Sequence, residues 1–376
     1  MRSVSASHPT PNLPRSTLAL AAVAVAFLFA STISRRTHAA IDPLSGIDFV
    51  TIGATYGGAG NPAYQSGQPN QDVNGRGSVG YQYNIGRMEV TTAQWVEFFN
   101  AAYDRPSNDL LPHLVPPDRW GAQSTTPNTP GARRWSVIPG QGNAPVGNIS
   151  WRIAAMYCNW LCNGKSLDRS AFLNGAYDVS TFRFVGNVFQ DQLAHNPGAQ
   201  YWIPTWDEWL KAAHFDPNKP NPDGTTGGWW RYSNTSDTAP IYGPPNTGGQ
   251  ANAGFLSAQA YTIPLGAYAT VQSPWGLLDV AGATTEWTEE IKDLGTGGRY
   301  RYFDGSYWLQ DAFQARLVDA IQPAGQELPH ISSYEFGLRV ASLVPTPGAG
   351  ALGLGLLFPL LARRRRRSNP RLQLLP

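Results

Sequence analysis

The sequence predicts a loop-rich fold with few regular elements, and three observations carry that expectation. Gly 39 and Pro 31 make 70 of the 376 residues, which sets turns along the whole chain. Trp 13 is high and supplies large rings that can pin irregular loops in place of a regular helix or sheet stack. Helix-period and strand-period patterns are short and separated by long irregular connections. With both ends reading as processing segments, one domain of roughly 300 residues with its own core is expected.

Residues 1–39 read as a secretory signal. Arg2 and Arg15 precede an apolar run from Leu18 to Ala30, and Thr37-His38-Ala39 is a small-residue exit. An uncleaved anchor is the alternative, but the run is short for a span of roughly 20 residues. Residues 47–84 read as strand and loop, because Ile47 and Phe49, then Val79, Tyr81 and Tyr83, alternate on either side of a polar Gly/Asn/Gln loop. Thr91 with Gln94 is a capping-box pattern, and Trp95, Phe98, Phe99 and Ala102 fall at helical spacing, so an amphipathic helix is expected from Thr92. Residues 104–142 are Pro-rich and read as loop.

A second helix follows Ser150-Trp151, on which Ala154, Tyr157, Cys158 and Leu161 repeat at core spacing until about Gly164. Cys158 and Cys162 are the only cysteines and lie four apart on it, with Cβ atoms roughly 5–6 Å apart, too far for an unstrained disulfide. They read as free thiols packing as small hydrophobes, or alternatively as a soft-metal or redox pair. Residues 165–200 are an irregular connection. Thr205 with Glu208 then caps a third helix whose inward stripe is Trp206, Trp209, Leu210 and Ala213; His214, in its last turn, complements the dipole or ligates a metal. Residues 227–232, 250–253 and 261–266 are short strand or turn pieces.

The stretch that organises the rest is Ser273 to Glu290. A turn at Pro274-Trp275-Gly276 opens onto Leu277, Leu278 and Val280, and Ala281 to Ala283 let backbone pass close to backbone. Glu286 beside Trp287 is expected to be paired or metal-bound, since an isolated buried charge is prohibitively costly; bracing a loop through backbone donors is the plainer reading. Residues 300–308 could line a pocket with aromatic faces and the Ser306 hydroxyl, or form a core strand with one buried hydroxyl.

From Leu343 the material changes. Val344-Pro-Thr-Pro-Gly leads to an apolar stretch, residues 349–362, then to Arg363 through Arg367. About 14 apolar residues are too few for a comfortable transmembrane helix, so membrane contact through this tail reads as transient. Arg2, Arg15, Arg35, Arg36, Arg363 to Arg367 and Arg371 all fall in these end segments; taking those ten from 28 basic residues leaves 18 against 26 acidic, a net of −8. Such a body repels phosphates, which argues against a nucleic-acid partner.

Several landmarks then form an ordered series: Glu89-Val90-Thr91, Pro145-Val146, Ile149-Ser150-Trp151, Tyr157-Cys158 with Trp160-Leu161, Ile203-Pro204-Thr205, Glu208-Trp209 and Ala212-Ala213. Trp275-Gly276-Leu277, Gly282, Glu286-Trp287-Thr288, Gly305-Ser306 with Trp308, and Gly337 with Arg339-Val340 complete it. The series resembles the formylglycine-generating enzyme family, also called the sulfatase-modifying factor domain, over residues 47–342. The resemblance implies an α+β, C-type-lectin-like domain. Residues 343–376 resemble the PEP-CTERM class of sorting tails, with Thr346 at the usual glutamate position, which implies an exosortase-like processing enzyme, a signal peptidase and a Gram-negative-type envelope.

Enzymes of the family oxidise a sulfatase cysteine to formylglycine with copper held by two cysteines near the domain's C-terminus. The corresponding segment here, Gly305 to Arg339, has no cysteine, so copper of that kind is not expected. The catalytic candidates that remain are Cys158, Cys162 and Ser306. The resemblance implies a calcium site at Glu286 with Ala281, Gly282 and Thr284, and half of a second at Asn252 and Ala253. The expected function is an exported, envelope-sorted module that binds a surface glycan or protein or serves structurally. An oxidase of the family is the alternative, and a glycan binder using Trp229-Trp230 and Tyr307-Trp308 a further one.

Overall fold

The computed structural model describes residues 38–53, 60–103, 113–114, 116–117, 119–125, 134–257 and 260–345. Most of the expected signal, through residue 37, and the tail from residue 346 lie outside them. The strands of the two main sheets are β1 (His38–Ile41), β2 (Asp48–Ile52), β3 (Tyr83–Gly86), β4 (Tyr201–Trp202), β5 (Thr285–Asp293), β6 (Arg299–Asp304), β7 (Gly325–Glu327), β8 (Phe336–Gly337) and β9 (Ala341–Ser342). The first sheet runs β1-β2-β3-β9-β4 and is antiparallel throughout. The second runs β7-β6-β5-β8, with only the β5–β8 pair parallel. Val50 opposes Ile85, and Ala341 opposes both Ile85 and Trp202, so the start and end of the domain are knitted into one ladder.

The helices are α1 (Thr92–Tyr103), α2 (Trp151–Cys162), α3 (Trp206–His214) and α4 (Ala312–Val318). Local chemistry starts the first three where expected. Gln94 Oε1 accepts the Thr91 N–H at 2.9 Å and Thr91 Oγ1 accepts the Gln94 N–H at 3.3 Å, which completes a capping box. Ser150 caps α2, and Thr205 with Glu208 forms the capping box of α3. Helices α1 and α2 meet through rings: Phe98 lies 5.2 Å from Tyr157 edge-to-face and 5.6 Å from Trp160, and Trp95 lies 5.3 Å from Tyr157.

Two segments read as loop hold regular structure. Ala122–Ser124 pairs with Trp135–Val137 because Trp135 is drawn onto Phe99 and Trp120, at 5.6 and 5.5 Å. Residues 170–173 make one helical turn that buries Phe172. Helix α4 also had no apolar stripe to announce it, since its Phe313 is exposed and only Ala315 is buried; Asp311 caps it by accepting the Phe313 and Gln314 N–H groups. No helix among the described residues is long and apolar enough to cross a membrane.

Candidate functional site

Glu286 sits on β5 opposite Asp304 of β6 and Gly337 of β8, fully inside the molecule. Its oxygens are taken by the buried Arg339, whose Nη2 donates to Oε1 at 2.7 Å and whose Nε reaches both oxygens, and by Trp209 Nε1 at 2.7 Å to Oε2. Arg339 spends its remaining donors on the carbonyls of Gly86, Arg87 and Leu278. Glu286 is therefore the paired acid that its burial demands.

The expected calcium ligands meet as neighbours, and several of their polar groups are engaged within the fold. The one carboxylate among them already faces a guanidinium, and a second cation beside Arg339 would be repelled. Asn252 Oδ1 is used by the Ala283 N–H, Thr284 Oγ1 donates to Glu89 Oε2 at 2.8 Å, and the Gly282 N–H donates to Ser306 Oγ at 2.9 Å. Among the described residues no group of three His, Cys, Asp or Glu is placed to hold a metal.

The catalytic candidates are also structural in this geometry. Cys158 is sealed in the core and burial pushes its thiol well up. Cys162 exchanges hydrogen bonds with the Tyr201 backbone, and burial raises its thiol too, so neither is poised as a thiolate. Ser306 is buried, and its backbone N–H donates to Asp319 Oδ1 at 3.1 Å. The other Asp319 oxygen accepts Tyr242 OH at 2.9 Å, and burial raises the acid to about 7. The Ser306 hydroxyl accepts the Gly282 N–H inside the core and braces that turn. His214 is buried and pushed down to about 3, so it is a neutral end to α3.

What this frame holds up is an aromatic shelf. Asn252 bridges two segments: its Oδ1 takes the Ala283 N–H, and its Nδ2 donates to the Ala260 carbonyl at 3.1 Å. The Ala283 carbonyl in turn accepts the Trp308 backbone N–H at 3.1 Å, so one buried amide sets the spacing of Tyr261 and Trp308. Ala283 holds φ +50° between these partners, a left-handed conformation that a non-glycine residue keeps only when its surroundings over-determine it. On the other side, the Gly147 N–H donates to Arg119 O and the Asn148 N–H to Ser333 O, which sutures Arg119 next to Tyr334. A Cβ on Gly147 would collide with the Tyr334 carbonyl.

The resulting cluster is compact. Tyr261 meets Trp308 edge-on at 5.5 Å, Tyr334 lies 6.2 Å from Trp308 and 5.9 Å from Tyr307, and the Arg119 guanidinium is over Tyr261 and Trp308 at 5.8 and 5.9 Å. Trp308 is only 4% exposed, yet its indole N–H has no partner. The sequence pointed to Trp308 but not to Arg119, Tyr261 or Tyr334, which come from three irregular segments with no shared period. The Trp229-Trp230 pair lies elsewhere and is engaged: Trp229 Nε1 donates to Pro62 O, and Trp230 donates to Asp216 beneath Lys219. A separate cleft of about 650 Å³, lined by Asp42, Phe49, Tyr201, Leu343 and their neighbours, opens where the terminal strands meet and contains none of these groups.

The model of the sulfatase-modifying factor enzyme 1-like domain matches residues 49–343 of the chain. The chain belongs to this family. No curated protein sequence matches it significantly. Among solved structures, it is similar to CarF, with 20% identity and a TM-score of 0.48 over 80% of this chain and 99% of that one. It is similar to variable protein 1 of Treponema denticola, with 19% identity and a TM-score of 0.45 over 78% and 94%. It is also similar to PvdO from Pseudomonas aeruginosa, with 15% identity and a TM-score of 0.40 over 79% and 94%. Family membership accounts for the α+β, loop-rich fold. In this sulfatase-modifying factor domain, the segment from Gly305 to Arg339 presents Tyr307, Trp308 and Tyr334 and no thiol.

Proposed function

We propose that the protein is exported and sorted to the cell envelope, where its sulfatase-modifying factor domain serves as a surface binding module and not as a cysteine oxidase. The observation that carries the reading is the position of the thiols. Both cysteines lie on α2, packed and with their thiols raised by burial, while the segment in which the family's enzymes hold copper contributes an aromatic shelf. A soft Cu(I) centre of the family's kind needs thiolates at that place. Export and sorting rest on the signal-like residues 1–39 and the tail 343–376, and they require a signal peptidase and an exosortase-like enzyme as partners.

Anaerobic titration with Cu(I) in competition with a chromophoric chelator tests the copper part. The reading expects no tight one-to-one site. A stoichiometric site that disappears when Cys158→Ser and Cys162→Ser are combined would overturn it. Mass spectrometry of the processed protein, with cleavage near residues 39 and 345 as the expected result, tests the sorting part.

A further inference from the structure

We infer that the shelf of Arg119, Tyr261, Trp308 and Tyr334 is a binding site for an anionic sugar, a uronate-type residue of a polysaccharide, whose carboxylate pairs with Arg119. The inference deepens the binding-module reading and rests on it.

Three features select this ligand class. First, Arg119 is exposed and has no carboxylate partner among the described residues, whereas Arg76, Arg87, Lys165, Lys219, Lys292 and Arg299 are each matched to an acid. A guanidinium held over two rings keeps its planar fork of donors for a planar carboxylate. Second, the shelf contains an unsatisfied polar group. The buried Trp308 indole N–H lacks an acceptor. Leaving such a group unpaired is costly, and a ligand dense in hydroxyl oxygens can accept from it. Third, the half-buried rings of Tyr261, Tyr307 and Tyr334 are held edge-to-face, Tyr261 on Trp308 and Tyr307 on Tyr334, and offer a preformed apolar surface for the C–H face of a pyranose.

The same features disfavour other anions. The body carries 18 basic against 26 acidic residues once the ten arginines of the end segments are set aside, so it offers no extended basic track for a polyphosphate, and attraction at the shelf is short-range, through the Arg119 guanidinium. Tyr261, Trp308 and Tyr334 lie in turns and a single 3-10 turn, not along a strand, which leaves an extended acidic peptide no ladder to join at the shelf.

The test is calorimetric titration of the purified full chain with a hexauronate, with cellohexaose as the neutral counterpart and hexaglutamate as the acidic peptide. The expected result is saturable binding of the hexauronate and at least about ten-fold weaker binding of the other two; Arg119→Gln should weaken hexauronate binding by about ten-fold or more. Trp308→Phe, which keeps the ring and removes the N–H, should weaken it by a smaller factor. Arg119 is exposed, so its variant reports on binding and not on folding. Equal binding of cellohexaose, equal binding of hexaglutamate, or indifference to Arg119→Gln would each overturn the inference. Failure of all three probes to bind would overturn it as well, yet would leave the non-oxidase reading standing, because that reading falls only to copper binding or turnover.

Discussion

At Glu286 the carboxylate accepts from Arg339 at both oxygens and from Trp209 at one, all inside the core. Removing one member of such a pair strands the other charge away from water, so Arg339→Met should lower the unfolding free energy by about 3–5 kcal/mol in urea titration. Combining it with Glu286→Gln should recover part of that loss, which a role in loop bracing alone would not produce. The same pairing predicts indifference to calcium. Neither EDTA nor millimolar calcium should move the thermal midpoint, and a rise of several degrees with calcium would mean that oxygens other than the engaged ones form a site. The sequence announced that Glu286 needed a partner but not which one, because a buried acid is satisfied equally by a metal or a guanidinium and Arg339 lies 53 positions away.

Helices α1, α2 and α3 were legible because their signals are local: an N-cap residue, its partner three positions on, and an apolar stripe at helical spacing. The capping box of α3 carries a further consequence, since Glu208 also accepts Trp202 Nε1 at 3.0 Å and Tyr81 OH at 2.8 Å. Thr205→Ala should therefore cost about 1 kcal/mol from the cap, read as a shift in the urea midpoint with unchanged slope. The sheets were far less legible. Strand β9 is only Ala341–Ser342, too short to carry an alternation, and it is placed by ladders to β3 and β4 from distant parts of the chain. Helix α4 was invisible for the opposite reason: it is capped but exposed, so it lacks the stripe that marks a packed helix. The shelf shares this limit, because Arg119 and Tyr334 become neighbours only through the backbone bonds of residues 147 and 148.

Over the whole molecule, burial of acids sets the response to pH. Asp304 and Asp319 are raised to about 7 and Asp279 to about 6, in each case chiefly by burial, from an ordinary value of 3.8. Each of these groups holds its proton more tightly folded than unfolded, so its contribution is fully present below about pH 4 and is lost as pH rises through about 6 to 7. Inside that window one such group changes stability by about 1.4 kcal/mol per pH unit. The domain should thus unfold at higher urea at pH 5 than at pH 8, and Asp319→Asn should flatten the profile. A profile that climbs from pH 5 to pH 8 would mean that these acids are ionised in the fold.

Composition had already indicated this architecture of loops pinned by rings, and the fold follows it, with tryptophans 95, 151, 160, 206 and 287 fully buried. What composition could not indicate is whether the domain still does its family's chemistry. The most direct measurement is incubation of the purified, copper-supplied protein with a cysteine peptide of the sulfatase type under oxygen, followed by mass analysis for formylglycine beside an active enzyme of the family. The account predicts an unmodified peptide with this protein and conversion by the control. Conversion by this protein, abolished by Cys158→Ser or Cys162→Ser, would contradict it.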